Sequence, residues 1–257
     1  MEPKTIQQKT AVAIHHKKSK IALITGASRG LGAELAAFLA KQGYDLVLTA
    51  RGEEALEVVS QSLQQYGGAV LALPGDVSNQ AHRRRLVEAT TSLFGRLDLL
   101  INNASTLGQS PLPSLADYSL KDLEQVFTTN VIAPLGLVQE ALPLLKRSRG
   151  LVVNISSDAA VGGYPGWGGY GASKAALELI SLTLSNELRD DGVGVVSVDP
   201  GDMRTQMHQD AFPGEDISDR PLPDETIPFW AWLLGQEPLT VSGQRYQAQA
   251  ETWELAA

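Results

Sequence analysis

The stretch "IALITGASRGLGAELAAFLA", Ile21 to Ala40, sets the reading of the whole chain. Ile21–Thr25 is a short apolar run of the kind that forms a buried parallel strand. Leu31, Leu35, Phe38 and Leu39 then recur at helical spacing. Between the two lie Gly26, Ala27, Ser28, Arg29 and Gly30, so the order is strand, glycine turn, helix. A helix that starts at such a turn points its unpaired N–H groups and positive dipole end into it. Glycine there reaches φ > 0 and leaves the backbone open to a bulky anion. The stretch therefore predicts a phosphate cradle, with a plain strand-to-helix turn as the alternative.

Composition narrows the possibilities. A chain of 257 residues has room for one large α/β core. Its hydrophobic fraction of 43% is ordinary for a soluble globule. No apolar run approaches the ~20 residues of a membrane span. Cysteine is absent, which excludes disulfides and thiolate metal sites and fits a reducing cytoplasmic setting. The net charge of −8 argues against nucleic acid as a partner, yet local cations can still hold an anionic cofactor. Residues 1–19 are polar and basic, and Ala11–Ile14 is too short for a signal-peptide core, so they read as a flexible N-terminal extension. His15 and His16 are adjacent and lack metal-ligand spacing, so no metal site is expected.

Strand-like runs recur at Ile21–Thr25, Asp45–Ala50, Ala69–Leu73, Asp98–Ile101, Leu151–Ile155 and Val193–Val198. Helical patterns separate them near 31–42, 53–66, 79–94, 119–147 and 170–190. Alternation of this kind predicts an α/β fold: one doubly wound parallel sheet over residues 20–257, with helices on both faces. Ligands are expected at the carboxyl ends of the strands. Residues 203–228, rich in proline and acidic side chains, read either as a surface loop or as a flap over a substrate pocket.

The stretch "YGASK" places Tyr170 and Lys174 four apart, on one helical face. An ammonium beside a phenol lowers the phenol's pKa toward the range of acid–base work, whereas a solvated pair would do nothing. Upstream, "LVVNISS" ends a strand at Ser156 and Ser157, and a glycine-rich stretch returns the chain to Tyr170. A serine hydroxyl beside the phenol can polarise a substrate carbonyl. Trp167, in that stretch, either lines a pocket or caps the core.

The T-G-x-x-x-G-x-G spacing of Gly26, Gly30 and Gly32, together with Tyr170-x-x-x-Lys174, resembles the short-chain dehydrogenase/reductase family. The resemblance extends over nearly all the chain after residue 19. It implies a Rossmann-type fold and cofactor contacts from Gly26, Ser28, Arg29, Gly30, Leu31 and Gly32. It further implies adenine contacts at Asp76 and Val77, a cofactor contact at Asn103, and nicotinamide contacts from Pro200, Gly201, Met203 and Thr205. Ser157 lies at the family's spacing before Tyr170 and is preferred to Ser156. Asn130 matches the helix asparagine that holds a water in the family's proton relay. Tyr170 and Lys174 also contact the cofactor in such enzymes. Two features depart from the pattern: Ser105 stands where the family has glycine after N-N-A, and the V-D-G-G ending is missing. A homo-oligomer, dimer or tetramer, is expected without being fixed.

Dinucleotide folds that use NAD end their second strand on an acid that binds the adenosine ribose. Here that position holds Ala50, followed by Arg51, with Arg29 in the glycine turn. The pair predicts NADP(H). The function expected is hydride transfer between NADP(H) and a ketone or aldehyde, with Tyr170 as acid–base, Lys174 tuning it, Ser157 holding the carbonyl and Asn130 supporting the relay. A non-catalytic NADP(H) sensor or scaffold on the same fold is the alternative, but no member of the Ser/Tyr/Lys set is lost. A sugar epimerase or dehydratase needs a larger C-terminal domain than residues 206–257 allow.

Overall fold

The computed structural model describes residues 19–255, so the N-terminal extension expected at 1–19 falls, but for its last residue, outside the described residues. Strands β1 (Ile21–Thr25), β2 (Asp45–Thr49), β3 (Val70–Ala72), β4 (Leu99–Asn102), β5 (Leu151–Ile155), β6 (Gly194–Asp199) and β7 (Arg245–Gln247) form one sheet. Their order is β3-β2-β1-β4-β5-β6-β7, and every neighbouring pair is parallel. The strand order reverses between β1 and β4, which opens a crevice at the carboxyl ends of those strands.

Alternate side chains of each strand enter opposite layers. Ala22, Ile24, Leu46, Leu48, Ile101 and Val153 pack beneath α1 (Gly30–Lys41), α2 (Glu53–Leu63) and α8 (Ile227–Leu234). Leu23, Val47, Leu100, Val152 and Val195 face α3 (Gln80–Leu93) and α5 (Ala133–Ser148). With both faces covered the strands read as unbroken apolar runs, and for that reason they were visible in the sequence.

Three features depart from the expected elements. The helix expected over 119–147 is two helices, α4 (Leu120–Phe127) and α5, joined by a wider π-type turn at Thr128–Ile132. Pro134 accounts for the break: it has no N–H to offer the carbonyl of Asn130, four residues earlier. Strand β7 has three residues, too few to show a pattern. Helix α8, "IPFWAWLL", is apolar on every side, so it shows no stripe. Its Phe229 and Trp230 are fully buried, and Phe229 meets Trp230, Trp232, Tyr246 and Trp253 with ring centroids 5.2 to 6.0 Å apart. That aromatic cluster anchors the last strand against the core.

Truncating a buried aromatic ring loses its transfer energy and leaves a cavity. Phe229→Ala is expected to lower stability by ~3–5 kcal/mol, read as a reduced urea midpoint at unchanged slope.

Candidate active site

A cavity of about 1090 Å³ runs along the carboxyl ends of the strands. At one end lies the glycine turn. Gly26 and Gly30 hold φ of 67° and 55°, which side-chain-bearing residues rarely adopt. A Cβ on Gly26 would come within 2.8 Å of Asn103 Nδ2, and one on Gly32 within 2.3 Å of the Gly26 carbonyl. Asn103 pins this approach, its Nδ2 donating to Thr25 O at 2.9 Å and to Gly26 O at 3.1 Å. Gly26 and Gly32 thus let the turn and helix α1 pack closely, whereas Gly30 faces the cavity beside the Thr205 methyl. No side chain caps α1 and its first turn carries no acid, so its free N–H groups remain available to an anion.

Around this turn the cavity is lined by Ser28, Arg29 and Leu31 and, at the end of β2, by buried Ala50 and exposed Arg51. Asp76 and Val77 line the adjoining wall. Two further residues, missed in the sequence, shape that wall from behind. The His82 Nε2 lies 2.8 Å from Thr49 Oγ1, and Arg83 Nη1 donates to Val77 O at 2.7 Å and to Ser78 O at 3.0 Å. Their only signal was polar side chains on the inner face of a predicted helix.

At the opposite end, helix α6 (Gly168–Glu187) brings Tyr170 and Lys174 to the cavity, where Ser157 joins them after β5. Lys174 is buried, donates to Ile155 O at 2.8 Å, and has its Nζ 5.4 Å from the Tyr170 ring centroid. Burial lowers its pKa to about 7, with Glu178 one turn on pulling the other way. The lowered phenol pKa expected from the sequence is not what the structure shows. Burial raises the Tyr170 pKa, hydrogen bonds with Ser105 and Ser157 oppose that, and Asp199 and Asp158 add to it. The phenol is desolvated and Lys174 turns its proton to a carbonyl, so the neutral form prevails.

The two candidate serines separate clearly. The Ser156 hydroxyl is buried and donates to Glu178, while Ser157 Oγ lies at the cavity wall, 3.0 Å from Asp158 Oδ1. Asn130 sits behind the wall, fully buried, with its side chain saturated. Its Oδ1 accepts from Ser105 Oγ at 3.1 Å and Thr106 N at 2.9 Å, and its Nδ2 donates to Thr106 O at 2.9 Å and Ser173 Oγ at 3.0 Å. The water expected on Asn130 finds no free side-chain group.

Pro200, Gly201, Met203 and Thr205 close the floor. Thr205 caps α7 (Gln206–Ala211), its Oγ1 accepting from His208 N at 3.2 Å. Helix α7 lies over the cavity, with Met207 in its lining and Asp210 O accepting from Ser110 Oγ at 2.5 Å. Trp167 does both things the sequence left open: it lines the cavity and packs on Tyr170 and Phe212 at centroid distances of 5.8 and 6.0 Å. Among the described residues no helix is long and apolar enough to cross a membrane, and no cluster of His, Asp and Glu is placed to hold a metal.

Known proteins resemble this chain. The chain is 34% identical over 199 residues to an uncharacterized oxidoreductase of Staphylococcus epidermidis, covering 77% of this chain and 84% of that one. It is 37% identical over 195 residues to a rhamnolipids biosynthesis 3-oxoacyl-[acyl-carrier-protein] reductase of Pseudomonas aeruginosa, covering 73% and 74%. A Shigella flexneri protein described as a short chain dehydrogenase and solved in complex with NADP superposes with a TM-score of 0.84 at 31% identity, over 90% of this chain and 97% of that one. Residues 20–216 match the family model for short chain dehydrogenases. With the parallel sheet, the glycine turn and the Ser157, Tyr170 and Lys174 grouping, that match makes the chain an oxidoreductase of the short-chain dehydrogenase family.

Proposed function

We propose that this oxidoreductase uses NADP(H) to interconvert a ketone or aldehyde and an alcohol. The observation that carries this reading is the polarity of one continuous cavity. A cradle of free N–H groups flanked by two arginines lies at one end, and a phenol, a hydroxyl and a buried ammonium lie at the other. The residues present fit the dinucleotide. Gly30 leaves the cavity side of the cradle bare, and Ala50 offers no carboxylate to repel a 2′-phosphate. Arg29 and Arg51 would hold that phosphate, Asp76 and Val77 the adenine edge, and Asn103, Lys174 and the Pro200 to Thr205 turn the nicotinamide half.

Bound NADPH supplies the hydride. The protein positions the carbonyl and moves one proton. Ser157 Oγ donates to the substrate oxygen, which gains negative charge as the carbonyl is reduced. Tyr170, held neutral by burial, gives its phenolic proton to that oxygen. Lys174 in its ammonium form then faces the phenolate and favours its formation. Asn130 ties the Ser105–Thr106 loop to α6, and so fixes the ring of Tyr170 from behind. Residues 203–228 form the cover over the substrate end, and residues 20–257 work as one unit.

Three outcomes are expected. Tyr170→Phe keeps NADPH affinity within about threefold but lowers turnover on any ketone accepted by the wild type by a factor of about 10² or more; undiminished turnover contradicts the assignment. Reduction is fastest at low pH and declines as pH rises through about 7, where Lys174 loses its proton, and a rate that instead climbs through neutrality excludes an ammonium as the active form. Charge-assisted hydrogen bonds contribute ~1.5–3 kcal/mol each, so two arginines give NADPH a preference over NADH of about a hundredfold or more. Ala50→Asp combined with Arg51→Ala reverses that order, whereas equal affinities in the wild type, measured by fluorescence titration, rule out the NADP(H) reading.

A further inference from the structure

The last strand carries a side chain that reaches the catalytic end from behind. Arg245, on β7, donates through Nε to Glu178 Oε1 at 2.7 Å. Its Nη2 donates to the Ser157 carbonyl at 3.1 Å and to Asp199 Oδ2 at 3.1 Å. The side chains are 25% exposed for Arg245, 17% for Glu178 and 5% for Asp199, so the pairs are well shielded from solvent. Each partner is one step from a functional group. Glu178 lies one helical turn beyond Lys174 and also accepts from the Ser156 hydroxyl. Asp199 accepts from Gly201 N at 3.0 Å and thereby fixes the Pro200–Gly201 turn. Ser157 is the carbonyl clamp itself.

We propose that Arg245 is a positioning residue for this site, clamping the Ser157 loop, helix α6 and the Pro200–Gly201 turn together and balancing the charge that Lys174 meets. The inference rests on the reductase reading above. Its geometry follows from the planar fork of arginine, which can serve a carbonyl and two carboxylates at once. Its electrostatics follow from counting. Lys174 and Glu178 from α6, Asp199 from β6 and Arg245 from β7 form two cations and two anions, neutral when Lys174 is protonated. Asp158, after β5, adds a further negative charge near Asp199, and Tyr170 on α6 stays neutral. Without Arg245, Glu178 faces Lys174 unopposed and holds its proton more tightly.

NADPH affinity of the full chain, measured by fluorescence titration from pH 5.5 to 9.5, tests this for wild type, Arg245→Met, Arg245→Lys and Glu178→Gln. The titration of NADPH itself is common to all four. In wild type the affinity falls as Lys174 loses its proton. In Arg245→Met the midpoint moves up by about half a unit or more. Arg245→Lys restores the charge and returns the midpoint to within about 0.2 units of wild type. Lacking the fork, it leaves kcat on an accepted ketone about fivefold or more below wild type at nearly unchanged KM. Glu178→Gln moves the midpoint down and keeps the question open to test if Arg245→Met does not fold. An unmoved midpoint in Arg245→Met or Glu178→Gln, or full recovery of kcat in Arg245→Lys, overturns the role of Arg245. Wild type that does not bind NADPH overturns the reductase reading, and this inference with it.

Discussion

The site depends on the burial of one ammonium. Lys174 is 2% exposed, and an isolated charge in such a place costs several kcal/mol unless it is paired or loses its proton. The chain answers with a carbonyl at the end of β5, Ile155 O at 2.8 Å, and with Glu178 one turn along α6. That glutamate is in turn fixed by Ser156 and Arg245. Two strands, β5 and β7, and one helix therefore converge on a single desolvated group. Its pKa near 7 reflects an incomplete compensation, and a lysine poised there can change charge within the physiological range. A surface lysine four residues from a tyrosine would have none of this.

The frame was legible because a doubly wound sheet buries both faces of its strands. Five-residue apolar runs such as Leu151–Ile155 have few other readings when helices alternate with them, and the six strands expected from the sequence are in the sheet. The glycine turn was legible for a related reason: only glycine fits where Gly32 backs onto the Gly26 carbonyl. What stayed hidden was long-range pairing. Nothing local to "GQRYQ" announces a strand, since β7 owes its existence to β6 and to the aromatic cluster around Phe229. Pro134 did signal the break in the helix, but the signal is small within an otherwise periodic run. The Tyr170 pKa runs opposite to what the sequence spacing implies, for a physical reason. The Tyr–Lys spacing gives the pair a common face, while desolvation, which sets the sign here, is a property of everything packed around them.

Ser105 illustrates how a departure from a family's pattern can be absorbed. A glycine is irreplaceable where φ is positive or where a Cβ meets backbone. Among the described residues the positive-φ positions other than glycine reduce to Arg149, so Ser105 carries no strain of that kind. Its hydroxyl is used. It donates to Asn130 Oδ1 at 3.1 Å and lies close enough to Tyr170 to oppose the rise in the phenol's pKa, so it stands between the phenol and the asparagine. Asn130, with both amide protons and both lone pairs engaged, cannot rotate without breaking several bonds at once, each costly to leave unmade in a buried place. Replacing glycine by serine thus stiffens the loop after β4 and adds a second hydroxyl to the phenol beside Ser157. The site keeps the groups that the chemistry requires, and the extra side chain occupies a hydrogen-bonding position that the surrounding fold had already made available.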